Sequence, residues 1–391
     1  MSDMAVAVIG MAWVLAARGV ALAAGPAPTG ASGPAPVVFP GAQWQQRPPA
    51  QMGIDPAKLQ AFIDQLCTPS PKHSRGPTAG DADPAGVIVK DGYIVASWGP
   101  PEGKLNWFSS SKPVLATLLL FAVQEGRLAS VDSRIADLGW PLSPKDQPMT
   151  FAHLANMISG YSLPEAPGAA WAYNDYAIHL YALSLDRVYP GEGLNEPAAR
   201  LLADLQLQDG DVCGDAHPGY GVVTSPRDFA RIGWWWMHRG NWNGKQVLDA
   251  SYFNRYCKPC VPADLPVSRT KEVDDYLNIA SYGGGNNQTK VGPGLYGYNW
   301  WFNAPLPGGE GRRVWPELPD DAFAALGYNG NCMFMIPSRG VLVAARGYWG
   351  EELDKDPRGR IHQTLHLLMD ALGHPGEGAG SAQATTSAPQ P

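Results

Sequence analysis

Ser109-Ser110-Ser111-Lys112 sets a hydroxyl and an amine three residues apart. On a helix, positions i and i+3 share a face, so the amine can take the hydroxyl proton and free a nucleophile. A lysine is a base only where desolvation lowers its affinity for the proton. About one or two S-x-x-K matches are expected by chance in a chain of this length. A second is present, Ser268-Arg269-Thr270-Lys271. Their surroundings separate them. Ser109 opens an apolar stretch that reads as the most buried helix of the chain, and a helix N-terminus favours negative charge developing near the serine. Ser268 stands beside Glu272, Asp274 and Asp275 and reads as solvated loop. The plainer alternative for the first motif is a pair of capping serines and a lysine stem lying along apolar surface.

Other residues could join such chemistry. Tyr173-Asn174-Asp175 follows Trp171 and precedes an apolar helix. A tyrosine near a lysine can carry a proton, although most such triplets are turns with Asx bonds. Gly327-Tyr328-Asn329-Gly330-Asn331 lies directly before a strand starting at Cys332. Glycine there lets a backbone approach a ligand, and a strand N–H can supply part of an oxyanion hole. His362 and His366 have zinc-ligand spacing, but Gln363 stands where a zinc hydrolase needs Glu, so no metal is expected. Cys257-Lys258-Pro259-Cys260 is half a zinc site without a second half, and Pro262 and Pro266 argue against a redox helix. It reads as a disulfide tying down a loop, and five cysteines (67, 213, 257, 260 and 332) leave one unpaired. Trp234 to Trp236 lie in a helical pattern and read as core. Gly294 to Trp301 reads as a strand beside the active-site strand that could line an apolar pocket.

The elements that must position these residues are legible in outline. Gly86 to Ala96 is two β-rich runs around Lys90-Asp91-Gly92, a hairpin pattern. Met333–Ile336 and Val341–Ala345 flank Pro337-Ser338-Arg339-Gly340, a second hairpin, and a helix follows from Gly359 to Leu372 with Gly373 as its stop. Between the hairpins the pattern is helical: 113–124, 150–158, 177–188, 225–239 and 249–256. The expected fold is α/β (α+β). An antiparallel sheet built from both chain ends, residues 40–105 and 282–372, is flanked by helices, and 106–281 forms a mostly helical inserted domain.

The chain of 391 residues is 45 % hydrophobic and 17 % charged, with a net charge of −7 and no basic block. That balance disfavours a nucleic-acid binder. Met4 to Ala17 is apolar and Ala21–Gly25 offers small residues for cleavage, so residues 1–24 read as a signal peptide, 25–39 as a linker and 373–391 as a disordered tail. An exported, periplasmic or secreted protein with no membrane span after processing is expected.

Taken together and in this order, the three motifs resemble the serine β-lactamase and penicillin-binding-protein superfamily. The nearer likeness is to class C β-lactamase-type hydrolases, which include esterases, D-amino-acid peptidases and 6-aminohexanoate-dimer (nylon-oligomer) hydrolases. The resemblance spans roughly Gln43 to Leu372, supported by Met149–Gly160 and Gly219–Gly233. It implies a β-lactamase/transpeptidase-like fold, Ser109 as nucleophile, Lys112 as base and Tyr173 as proton carrier. The oxyanion hole would be the backbone N–H groups of Ser109 and Asn331, with Asp175, Tyr328, Asn329, Gly330 and Arg346 facing substrate. No cofactor is implied. Two positions depart from the family pattern. Asp175 stands where Asn is usual, and a carboxylate there could pair with Lys112 and hold it charged, which would make Tyr173 the better candidate for the base. Tyr328 stands where Lys or His is usual, which removes a cation for a substrate carboxylate unless Arg346 replaces it. The expected activity is acyl-enzyme hydrolysis of a small ester or amide with an uncharged acyl group. The alternatives are a β-lactamase or D-alanyl-D-alanine carboxypeptidase, or a catalytically silent binding protein on the same fold.

Overall fold

A computed structural model describes residues 37–69, 83–210, 222–270, 272–281, 283–285, 291–351, 353 and 355–373. The segments read as signal peptide and linker up to residue 36, the tail from residue 374, Cys213, Gly219–Gly221 and Lys271 lie outside the described residues.

The first helix, α1 (Pro56–Cys67), starts where the Asp55 carboxylate accepts the N–H groups of Ala57 and Lys58 and Pro56 presets the first turn. Strands β1 (Ala85–Lys90) and β2 (Tyr93–Trp98) form the expected hairpin. Asp91 and Gly92 both take positive φ, 50° and 87°, as a tight two-residue turn requires. The short strand β3 (Leu105–Asn106) leads into the apolar helix α2 (Lys112–Gln124). Helix α3 (Phe151–Ala155) is capped by Thr150 but ends three residues before the expected Ile158. There the Asn156 amide bonds back to the Ala152 carbonyl, and Met157 turns left-handed at φ 59°. Next come α4 (Asp175–Val188), α5 (Asn195–Leu202), β4 (Val223–Thr224) and α6 (Pro226–Met237). The ribbon β5 (Asn241–Trp242) and β6 (Lys245–Gln246) precedes α7 (Ala250–Tyr256).

The chain then returns to the main sheet with β7 (Tyr296–Gly297), β8 (Trp300–Phe302), β9 (Phe323–Leu326), β10 (Asn331–Ile336) and β11 (Val341–Arg346), and closes with α8 (Arg360–Leu372). The segment from Gly294 to Trp301 is therefore a hairpin and not one strand. Tyr298 and Asn299 have φ of 44° and 71°, which reverses the chain between β7 and β8. Strand β9, absent from the sequence reading, separates this hairpin from β10.

The sheet is antiparallel throughout, in the order β2-β1-β11-β10-β9-β8-β7. The two ends of the chain meet where β1 pairs with β11, Ala85 opposite Arg346 and Lys90 opposite Val341. Every residue of β10 and β11 is buried, so both faces are covered. Helix α6 lies on the Met333 face so closely that a Cβ on Gly233 would come within 2.1 Å of the Met333 sulfur. On the alternate face Phe334 meets Trp349, which meets Phe62 of α1 at a ring separation of 5.9 Å.

Candidate active site

The Ser109 motif occupies a single 3-10 turn, Phe108–Ser111, that runs straight into α2. Several bonds fix this turn. Trp107 is fully buried, stacks on Phe229 at 4.3 Å and donates its indole N–H to the Thr224 carbonyl. The Asn106 side chain accepts the Phe108 N–H, and Ser111 Oγ donates to the Phe108 carbonyl at 2.6 Å. Phe108 itself has φ 47°, a conformation that costs a bulky residue energy and is held by these surrounding bonds. The strain sits one residue before Ser109.

Lys112 is 1 % exposed. Its Nζ lies 2.7 Å from Ser109 Oγ, 3.0 Å from Tyr173 Oη and 3.0 Å from Asp175 Oδ1. An ammonium has three protons to donate, and three oxygens surround this one. Four residues from two separate stretches of sequence thus form one hydrogen-bonded cluster. Asp175 is the first residue of α4, where the helix dipole favours a carboxylate. Asn174 caps that helix by accepting from Tyr176 and Ala177 N–H and donates to the Tyr161 carbonyl, which sets the Tyr173–Asp175 bend. The Tyr173 ring stacks on Trp301 at 6.2 Å and is met edgewise by Tyr296 at 6.4 Å. Burial pushes the Tyr296 phenol well above its usual range, so it stays neutral beside the cluster. The β7–β8 aromatics, expected as a possible pocket wall, pack behind Tyr173 and are buried. Trp234, Trp235 and Trp236 are core, as the helical pattern implies.

The Gly327–Asn331 segment meets the serine turn directly. Ser110 Oγ donates to the Asn331 carbonyl at 2.5 Å, and Gly327 N–H donates to the same oxygen at 2.8 Å. Asn329 and Gly330 both have positive φ, 59° and 66°. The resemblance gives the Asn331 N–H to an oxyanion hole. In the structure that N–H closes a turn on the Tyr328 carbonyl, which also accepts from the Asn331 side chain. Tyr328 is 52 % exposed, with its ring edge-on to Phe108 at 5.7 Å. Arg346 is buried on β11 and its Nε donates to Asn331 Oδ1 at 3.2 Å, so one face of its guanidinium supports Asn331.

Other sequence readings resolve differently. Ser268 is buried rather than solvated, because its N–H donates to the Trp171 carbonyl and Val267 forms a bridge with Trp171, which holds the segment against the stretch before Tyr173. Cys257 and Cys260 are separate thiols, not a disulfide. Cys260 is drawn onto β7 by its N–H bond to the Tyr296 carbonyl, and burial pushes its thiol up to about 11. His362 pairs with Glu317 and exposed His366 with Asp370, so the two imidazoles do not converge. Among the described residues no cluster of three or more His, Cys, Asp or Glu could hold a metal, and no helix is long and apolar enough to cross a membrane. Sequence reasoning missed Asn106, Ser110 and Asn174. Their signal was a short polar residue beside each motif, which is common to any turn.

A family model described as Beta-lactamase matches residues 78–360, well over half of the chain. The chain belongs to the beta-lactamase family. Solved structures agree on the fold. A beta-lactamase from Mycobacterium bovis is similar with TM-score 0.52 at 16 % identity, over 73 % of this chain and 94 % of that one. A penicillin-binding protein homologue from Caulobacter crescentus gives TM-score 0.52 at 16 % identity, over 84 % and 99 %. A family VIII carboxylesterase gives 0.53 at 13 % identity, over 83 % and 98 %. No curated protein sequence matches the chain.

Proposed function

We propose that this beta-lactamase family member is a serine hydrolase that works through an acyl-enzyme on a small ester or amide with an uncharged acyl group. The observation that carries the reading is Lys112 Nζ, buried and 2.7 Å from Ser109 Oγ while also bonded to Tyr173 Oη. Ser109 Oγ attacks the carbonyl carbon and its proton leaves through Lys112. Tyr173 passes a proton to the departing alcohol or amine, and then draws one from the water that cleaves the ester to Ser109. The Ser109 N–H is one donor to the developing oxyanion. The Asn331 N–H becomes the second once the acyl oxygen displaces the Tyr328 carbonyl from it.

The uncharged acyl group is inferred from Tyr328. At the position where the family's cation is expected stands an exposed aromatic ring, set against Phe108 beside Ser109. A second reading, as a silent binding protein, draws on the Lys112–Asp175 pair, which opposes a free amine base.

A fluorophosphonate probe separates them. Labelling of the unmodified protein and its loss in Ser109→Ala, with Ser268→Ala still labelled, supports the hydrolase; an unlabelled Ser109 leaves the binding protein. Comparing kcat/KM for a short p-nitrophenyl ester with that for a chromogenic cephalosporin then tests substrate class. A faster cephalosporin would reject the neutral-acyl reading.

A further inference from the structure

We infer that the proton acceptor of this site is the Lys112–Asp175 pair rather than a free lysine amine. The inference rests on the serine-hydrolase reading of the same site and goes beyond it. Lys112 and Asp175 side chains are 1 % and 7 % exposed and 3.0 Å apart. The two form an ion pair largely removed from water, and losing either partner would leave the other a buried, uncompensated charge. Lys112 Nζ then has its protons directed at Ser109 Oγ, Tyr173 Oη and Asp175 Oδ1 and no lone pair to offer. A base appears only if one of those protons moves off. Of the three oxygens, Asp175 Oδ1 carries the negative charge and is the acceptor.

The step balances. The Ser109 Oγ–carbon bond forms, and the carbonyl π pair moves onto the acyl oxygen. The Oγ proton passes to Lys112 Nζ as an ammonium proton passes to Asp175 Oδ1. When the leaving group departs, Asp175 returns its proton to Lys112, and the cluster delivers one through Tyr173 Oη to the leaving oxygen or nitrogen. Asp175 acts through Lys112 and is a positioning residue. The titratable groups that face the pair are few among the described residues. Helix α2 offers Lys112 itself, the stretch before α4 offers Tyr173, and β7 offers Tyr296, which burial keeps neutral. One turn along α4, His179 is turned to the Ala280 carbonyl.

The test is the pH profile of kcat/KM for a neutral p-nitrophenyl ester. Asp175→Asn keeps the shape but leaves a lone amine as base, so the acid limb should move to higher pH than in the unmodified enzyme, as the base changes from carboxylate to amine. Its kcat should fall at pH 6 and recover towards pH 9, with KM within about twofold. An acid limb that stays in place, with kcat lowered equally at every pH, would overturn the inference. Should Asp175→Asn lose its circular dichroism signature, Asp175→Glu carries the test: a retained acid-side limb supports the pair, and a limb moved to alkaline pH rejects it. Failure of the underlying reading looks different, since Ser109 of the unmodified protein would then not take the fluorophosphonate at all.

Discussion

Removing one oxygen from Tyr173 should slow the enzyme far more than it loosens the fold. Tyr173→Phe leaves the ring on Trp301 and against Tyr296, so the aromatic contacts, about 0.5–1.5 kcal/mol each, are kept. What is lost is the 3.0 Å bond to Lys112 Nζ. A hydrogen bond to a charged partner contributes ~1.5–3 kcal/mol, and that bounds the stability change to a drop of a few degrees in melting temperature. The rate should suffer more. Without the hydroxyl, no group of the cluster reaches out to the leaving atom, and losing general acid–base help costs ~10²–10⁴. The loss should depend on the leaving group. p-Nitrophenolate departs without a proton, so its acylation should be affected least, while an alkyl ester or anilide should fall by the full factor. The assay is burst and steady-state kinetics on that pair of substrates, with circular dichroism to check folding. A change under threefold on both, in a folded protein, would refute the catalytic assignment and leave Tyr173 as a packing residue.

Three further outcomes follow from the geometry. Gly327→Ala should be both less stable and less active: its Cβ would lie 2.7 Å from the Trp107 carbonyl and 2.8 Å from Ser110 N, so β9 must retreat from the serine turn. Overpacking of this kind costs ~1–3 kcal/mol, and a shift on the order of 1 Å at the nucleophile costs ~10² in rate, read by urea melts and kcat. His153 is held neutral by burial and accepts the Thr150 N–H, so below about pH 6.5 the unfolded chain binds the proton that the folded one refuses. Stability should therefore rise with pH up to that point and then level, and His153→Gln should flatten the slope to what buried His238 leaves, measured by denaturant midpoints from pH 5 to 8. Tyr328→Lys should raise kcat/KM on anionic substrates only modestly, because the position is exposed and such pairs contribute ~0.2–1 kcal/mol, at most about fivefold.

The fold was legible where sequence pattern and burial coincide. β-rich runs around Asp91-Gly92 and around Pro337–Gly340 mark two hairpins, and both sit in the sheet. Helix caps at Thr150, Ser225 and Asp249 were readable because each is a short polar residue before a periodic run. Strand β9 was not, since Phe323-Ala324-Ala325-Leu326 is short, apolar on both faces and indistinguishable from a helical fragment. The β7–β8 turn was hidden because Tyr298 and Asn299 adopt positive φ without a glycine to announce it. Ser268 was misjudged because nearby acidic residues say nothing of the backbone pairing that buries it.

For the candidate site, the motifs were visible but their joinery was not. Ser109, Lys112, Tyr173 and Asp175 stand out by type and spacing, yet nothing in the sequence says that one nitrogen touches the other three residues. The deepest link is the Asn331 carbonyl. It accepts from Ser110 on the nucleophile turn and from Gly327 at the end of β9, and its own residue begins β10, paired with Arg346 on β11. Strand β11 in turn pairs with β1, some 260 residues earlier in the chain, Arg346 opposite Ala85. The serine turn is therefore tied to a sheet that is complete only when both ends of the chain have joined it. Contacts of such sequence separation form late and slowly, since loop closure precedes any gain from pairing. The strained Phe108 beside Ser109 is held by local bonds from Asn106 and Ser111, but the turn gains its tie to β10 only in the finished sheet. A partly folded chain would carry the S-x-x-K motif without the geometry that activates it.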